Sequence, residues 1–219
     1  MFVSSSYDFI NRAETGSKSM DFIQFASYLG TFVFAITGAL KARKHQMDIL
    51  GAAMLAFVTA YGGGTVRDIL IGVRPLSWIN DYTALVLVVL AVAIVFLFKK
   101  NVIKFRRTIF ITDAVGLGLF TVLGIHKCMQ ADINSGYAII LGTIGATFGG
   151  LLADILSNNI PDLLKTGELY ATACLIGGTI QVLLEKQGIG ENWTLLICIF
   201  IVVGIRIVSK WKRISLPEI

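Results

Sequence analysis

The stretch Tyr61-Gly-Gly-Gly-Thr-Val-Arg-Asp-Ile-Leu-Ile-Gly-Val-Arg-Pro75 has an echo in Gly149-Gly-Leu-Leu-Ala-Asp-Ile-Leu156 and Pro161. At an offset of 86 residues, Gly30–Pro75 falls on Gly116–Pro161 without a gap. Gly30 meets Gly116, Phe34 meets Phe120, Gly38 meets Gly124 and Lys41 meets Lys127. Further along, Gly63-Gly64 meets Gly149-Gly150, and Asp68-Ile69-Leu70 meets Asp154-Ile155-Leu156. Apolar residues coincide readily by chance; glycine, aspartate, lysine and proline do so rarely. The chain therefore reads as a duplicated unit. Repeats with matching interruptions in their hydrophobic segments point to a transport pathway at the repeat interface.

Each unit is hydrophobic enough for a bilayer. Apolar residues make up 55% of the 219-residue chain and charged residues 15%, with mean hydropathy +0.76. A soluble domain carries about 25% charged residues, so the composition is that of an integral membrane protein. The net charge of +5 does not indicate nucleic acid, because the basic residues sit in short loops between apolar runs. Cys128, Cys174 and Cys198 follow no metal-ligand or CxxC spacing. His45 and His126 have no second ligand at helical spacing, so no metal site and no cofactor are expected. Two histidines that both flank the membrane cannot assemble a catalytic triad, and enzymatic activity is not expected.

Apolar segments cover residues 22–40, 49–71, 82–98, 108–125, 135–157, 169–184 and 192–209. Each approaches the roughly 20 residues that cross a hydrocarbon core of about 30 Å, the sixth being short. Within a bilayer the backbone must satisfy its own hydrogen bonds, so the segments are helices. Three helices per repeat is an odd number, which places the second copy upside down. The expected fold is an all-α integral membrane protein of seven transmembrane helices. It comprises an inverted repeat of two three-helix units (residues 21–107 and 108–190) and a seventh helix with a cytoplasmic tail (191–219). Residues 1–20, polar and serine-rich, are expected to be a disordered tail.

Of the 19 lysines and arginines, thirteen fall in the loops and end of one side, including Lys41, Lys99–Arg107, Lys165 and Arg206. The other six, among them Arg67 and Lys127, fall on the opposite side. The excess of basic residues marks the cytoplasmic side. The C-terminus is thus expected in the cytoplasm and the N-terminus outside a bacterial inner membrane.

Glycine costs about 1 kcal/mol relative to alanine in a helix interior. Gly62-Gly63-Gly64 and Gly149-Gly150 are accordingly expected to interrupt helices two and five. Inside a membrane, freed carbonyls are tolerated only against protein or a wet cavity, where they can replace part of a cation's water shell. Close helix packing is the other use of such glycines. Arg67 and Asp68 follow the first tract and Asp154 the second; charges at such depth face a bundle interior or an aqueous path. Arg67 either lies in that path or pairs with an aspartate to lock helices together. Asp113, five residues into the fourth segment, either attracts cations at the cytoplasmic mouth or caps a neighbouring helix. The glycine-rich run lacks the order of a phosphate-binding loop.

The Tyr61–Pro75 run, its echo, and Asp113-Ala-Val-Gly-Leu-Gly-Leu-Phe-Thr-Val-Leu-Gly124 resemble the prokaryotic members of the trimeric intracellular cation channel family. The resemblance covers roughly residues 22–209. It implies seven helices, a homotrimer in membrane lipid, and a separate pore in each protomer for monovalent cations, chiefly potassium and also sodium. By position, Gly62, Gly63, Gly64, Gly149 and Gly150 would form the kinks beside that pore. Phe148 stands where a third glycine would complete the second tract. A passive cation channel and a secondary transporter of a small solute such as glycine remain the two functional readings. Small size and the lack of an obvious coupling carboxylate pair favour the channel, while Asp68 and Asp154 keep the transporter open.

Overall fold

Paired glycines, helix-capping side chains and long apolar runs make the regular structure of the described residues helical throughout. The computed structural model describes the backbone of residues 4–98, 102–166 and 168–214, with side chains for 22–98, 106–166 and 168–214. The helices are α1 (Ser4–Lys44), α2 (Ile49–Leu70), α3 (Tyr82–Leu97), α4 (Val102–Gln130), α5 (Ser135–Leu156), α6 (Ala171–Lys186) and α7 (Glu191–Lys212). A 3-10 turn at Asp162–Leu164 precedes α6. Parts of α1 and α4, together with α2, α5 and α7, are long and apolar enough to cross a membrane. The third helix of each unit is shorter. At about 1.5 Å per residue, the 16 residues of α3 and of α6 span about 24 Å.

The first helix begins at Ser4, and no proline interrupts the chain before Pro75. The fourth helix begins at Val102, a few residues before the expected start of the second unit.

The two units copy each other down to single backbone torsions. α1 and α4 end in left-handed residues at matching positions, Gln46 (φ 56°) and Asp132 (φ 57°). The next amide in each case donates back five residues, Met47 to Ala42 and Ile133 to Cys128, both at 3.1 Å. These are Schellman closures that satisfy carbonyls left open at a helix end. α2 and α5 end the same way, through Gly72 (φ 73°) and Asn158 (φ 53°), with Val73 donating to Asp68 and Asn159 to Asp154. At the starts of these helices, Asp48 accepts from the Gly51 amide and Asn134 from the Gly136 amide.

The copies are antiparallel. Along α1 and α4, Gly30 lies against Leu119 and Phe120, while Thr37 hydrogen-bonds to Thr112 at 2.8 Å, so one numbering rises as the other falls. Phe34 and Phe120, equivalent under the repeat, stack at 5.1 Å between ring centres with planes 19° apart. α2 and α5 run antiparallel too, and their crossing explains the glycines. A Cβ on Gly63 would stand 2.0 Å from the Gly145 carbonyl oxygen, and one on Gly149 would stand 2.2 Å from that of Thr59. These are again the same contact made twice. α7 packs on α4 and α6 alone among the larger contacts and so belongs to the second unit. Its Val202 fills the notch left by Gly177.

The expected breaks at the glycine tracts do not occur: α2 and α5 are continuous α-helix through residues 62–64 and 149–150. The cost of glycine in a helix is small beside that of leaving backbone groups unpaired in a membrane. The glycines here permit two backbones to touch. Gly63→Ala should therefore strain the α2–α5 crossing by about 1–3 kcal/mol, the usual range for overpacking. Gly64→Ala, whose Cβ would meet only Arg67 Nη2 at 3.9 Å, should be neutral or stabilising. Thermal unfolding of the two purified variants in detergent checks the contrast, and equal midpoints would remove the packing role.

Candidate functional site

The antiparallel units leave a vestibule at each face of the bundle. The near face carries the ends of α2 and α4; the far face carries the ends of α1 and α5. The near vestibule encloses about 280 Å³ and is lined by Ser27, Thr31, Tyr61, Arg67, Asp68 and Lys127, among others. The far one encloses about 190 Å³, with Lys41, Asp113, Asp154, Asp162, Glu168 and Arg206 in its wall. Asp68 and Lys127 of one correspond to Asp154 and Lys41 of the other under the 86-residue offset.

In each vestibule a lysine of one unit holds the aspartate of the other. Lys41 Nζ on α1 lies 2.6 Å from Asp154 Oδ1 on α5. Lys127 Nζ on α4 lies 2.9 and 3.0 Å from the two oxygens of Asp68 on α2. All but Lys127, whose side chain is 29% exposed, are nearly inaccessible. A buried carboxylate needs its remaining lone pairs satisfied as well as a counter-charge. The loop beyond each helix supplies donors: the Ser77 amide and hydroxyl to Asp68 Oδ2, and the Asp162 amide to Asp154 Oδ2. Lys127 also donates to the Ser77 hydroxyl.

The vestibules differ in their arginines. Arg67 turns back on its neighbour, with Nε and Nη2 donating to Asp68 Oδ1 at 3.0 and 2.7 Å. Ala153 holds that position in the second unit. On the far face the arginine comes from α7. Arg206, 1% exposed, donates to Glu168 at 2.9 Å and to Asp113 at 3.4 Å, and Tyr170 donates to the other Asp113 oxygen at 3.2 Å. In the loop after α5, burial raises the Asp162 carboxyl. The Lys165 hydrogen bond and the charges of Lys41, Lys165 and Arg206 overcome that and hold it below the usual carboxylate range.

The sequence-expected residues thus divide between two roles. Gly62, Gly63 and Gly149 lie in the α2–α5 crossing. Gly64 looks toward Arg67 in the near vestibule, and its counterpart Gly150 toward Tyr170 and Asp113 on the far side. Arg67, Asp68 and Asp154 line the vestibules. Asp113, in the wall of the far vestibule, is 3% exposed and bonds to Tyr170 and Arg206. Sequence reasoning missed Lys41, Lys127 and Arg206, counting them only as loop charges. The coincidence of Lys41 with Lys127 at the same offset as the aspartates was the signal that could have found the first two.

The vestibules do not meet. Lining residues on α1 stop at Thr31 on the near side and resume at Lys41 on the far side. Between them Phe34, Ala35 and Thr37 are buried. Phe34 lies in this closed stretch, stacked on Phe120, which lines the near vestibule. Among the described residues no group of histidine, cysteine, aspartate and glutamate is arranged to hold a metal ion.

A family model described as Glycine transporter matches this chain twice, over residues 24–100 and 110–186. The chain is 33% identical over 213 residues to a UPF0126 membrane protein of Vibrio cholerae, covering 96% of this chain and 89% of that one. It is 36% identical over 160 residues to the UPF0126 inner membrane protein YadS of Escherichia coli K12, covering 73% and 77% of the two chains. The crystal structure of the TRIC trimeric intracellular cation channel orthologue from Rhodobacter sphaeroides superposes with a TM-score of 0.82 at 31% identity. That match covers 88% of this chain and 98% of the other. With two copies of one family unit, relatives aligned over most of their length and a shared seven-helix fold, the chain is a membrane protein of the prokaryotic trimeric intracellular cation channel family.

Proposed function

We propose that this protein is a monovalent cation channel of a bacterial inner membrane, conducting potassium and sodium through a pathway within each protomer of a homotrimer. The observation that carries the reading is the pair of vestibules, equivalent under the inverted repeat and opening on opposite faces, each centred on a buried aspartate of α2 or α5. An aspartate at such depth is costly unless it serves an ion path or a fixed partner. Kinship with the R. sphaeroides channel supports the path. The pathway runs beside α2 and α5, past Arg67, Asp68 and Gly64 on the near side and past Asp154, Asp113 and Gly150 on the far side. Gly62, Gly63 and Gly149 contribute by bringing the two helices together. Opening requires the Phe34–Phe120 region to part and a lysine to release its aspartate.

The second reading, a transporter of a small solute such as glycine, is favoured by one arrangement. Closure at each face by an equivalent lysine–aspartate pair is what two alternating gates need. Purified protein in a planar bilayer with a potassium gradient separates the two. Discrete unitary currents reversing near the potassium equilibrium potential are expected; saturable glycine uptake without unitary currents would replace the channel with the transporter.

The far face carries the basic excess and is placed in the cytoplasm, with the N-terminus outside. In a variant lacking Cys128, Cys174 and Cys198, Asn101→Cys should be protected from an impermeant thiol reagent in intact cells and labelled after permeabilisation. Labelling in intact cells would invert the orientation.

A further inference from the structure

The far vestibule holds a charge that its own repeat does not supply. Under the offset that relates the units, Ser27 corresponds to Asp113 and Arg67 to Ala153. The second unit therefore has an extra carboxylate and lacks the arginine. α7, which has no counterpart in either repeat, delivers Arg206 to the vacant role. Lys41, whose charge also acts on Asp113, gives its hydrogen bond to Asp154 instead, at 2.6 Å.

Arg206 is held by Glu168 at 2.9 Å and by the Leu169 carbonyl at 3.3 Å, and is less well seated toward Asp113. Its Nε is buried with no hydrogen-bond partner. Its contact to Asp113, 3.4 Å, is long beside the roughly 2.8 Å of a charge-assisted bond. Tyr170 and Phe110 face the guanidinium carbon at 4.5 and 5.0 Å from their ring centres, with Lys210 Nζ also over Phe110 at 3.7 Å. A carboxylate oxygen, two aromatic faces and a polar cavity of about 190 Å³ suit a cation in general more than a guanidinium in particular.

The geometry points to Asp113 as a monovalent-cation site of the far vestibule, filled in this conformation by the Arg206 guanidinium as a tethered occupant. The inference rests on the cation-pathway reading and adds a role for α7. The helix outside the repeat sets how strongly the far mouth attracts ions. With Arg206 seated, Asp113 is neutralised; with Arg206 withdrawn, Asp113, Tyr170 and Phe110 accept potassium or sodium.

Three forms of the full chain test this: wild type, Arg206→Gln, and Arg206→Gln with Asp113→Asn. Thermal unfolding in detergent is compared in potassium chloride and in choline chloride of equal strength. Arg206→Gln should gain a potassium-specific rise in midpoint that wild type and the double variant lack, since a ligand binding only the folded state stabilises it. In bilayers at about 20 mM salt, where screening is weak, the same variant should pass at least about twofold more cation current entering from the far side. The double variant should return to the wild-type value. A midpoint for Arg206→Gln that is the same in both salts, or a double variant that keeps the gain, overturns the site and leaves Arg206 a packing partner. If Arg206→Gln fails to assemble, Arg206→Lys keeps the charge on a different tether. It should show a smaller potassium-specific rise, and its absence also overturns the site. Unfolding does not depend on conduction. A potassium-specific rise without unitary currents would sink the channel and keep the site; currents without the rise would do the reverse.

Discussion

Lys41 and Lys127 each cross from their own three-helix unit to neutralise an aspartate of the other, and the bundle is arranged around that exchange. Taking one partner from a buried ion pair leaves an uncompensated charge, at a cost of about 3–5 kcal/mol. Neither unit can meet that need alone, because its lysine and aspartate lie at opposite ends of an α1–α2 or α4–α5 hairpin. Antiparallel docking of the two units brings each lysine to the partner's aspartate. The loops after α2 and α5 then follow, since Ser77 and the Asp162 amide must sit where the remaining carboxylate lone pairs point.

That docking is possible only because α2 and α5 approach to backbone contact. Any side chain at Gly63 or Gly149 would hold the helices apart and draw the lysines away from the carboxylates. Packing and electrostatics are therefore coupled through the same two helices. The glycines bear on function through the distance they set. Their outer neighbours, Gly64 and Gly150, leave room beside Arg67 and Asp113 for the charged clusters.

Helix number, order and antiparallel repetition were legible in the sequence because polar and conformationally special residues recur at one offset. Asp48 and Asn134, or Gly72 and Asn158, match in role even where the residue changes. The glycine tracts misled because propensity measured in water favours a break, whereas a membrane helix keeps its internal hydrogen bonds for want of any other partner. Arg206 was unreadable for another reason. Counted by topology, an arginine near a helix end is a surface charge; only the tertiary packing of α7 on α4 and α6 turns it inward. Asp113 stood out as a buried charge, but its partner lies 93 residues away on an element outside the repeat.

The matched turns at Gln46 and Asp132 show that both halves follow one local folding programme. A free-standing three-helix unit following that programme would carry the lysine and the aspartate without being able to join them. Two identical units could join them, through a two-fold interface in which each residue makes the contact its twin makes. The two-fold axis would lie in the membrane plane, so half of the copies would have to insert upside down. Fusing the halves frees a chain from that lottery, since the connection between α3 and α4 fixes one unit against the other. It also frees the sequences to diverge, and arginine in one half with alanine in the other is a difference that identical subunits could never display.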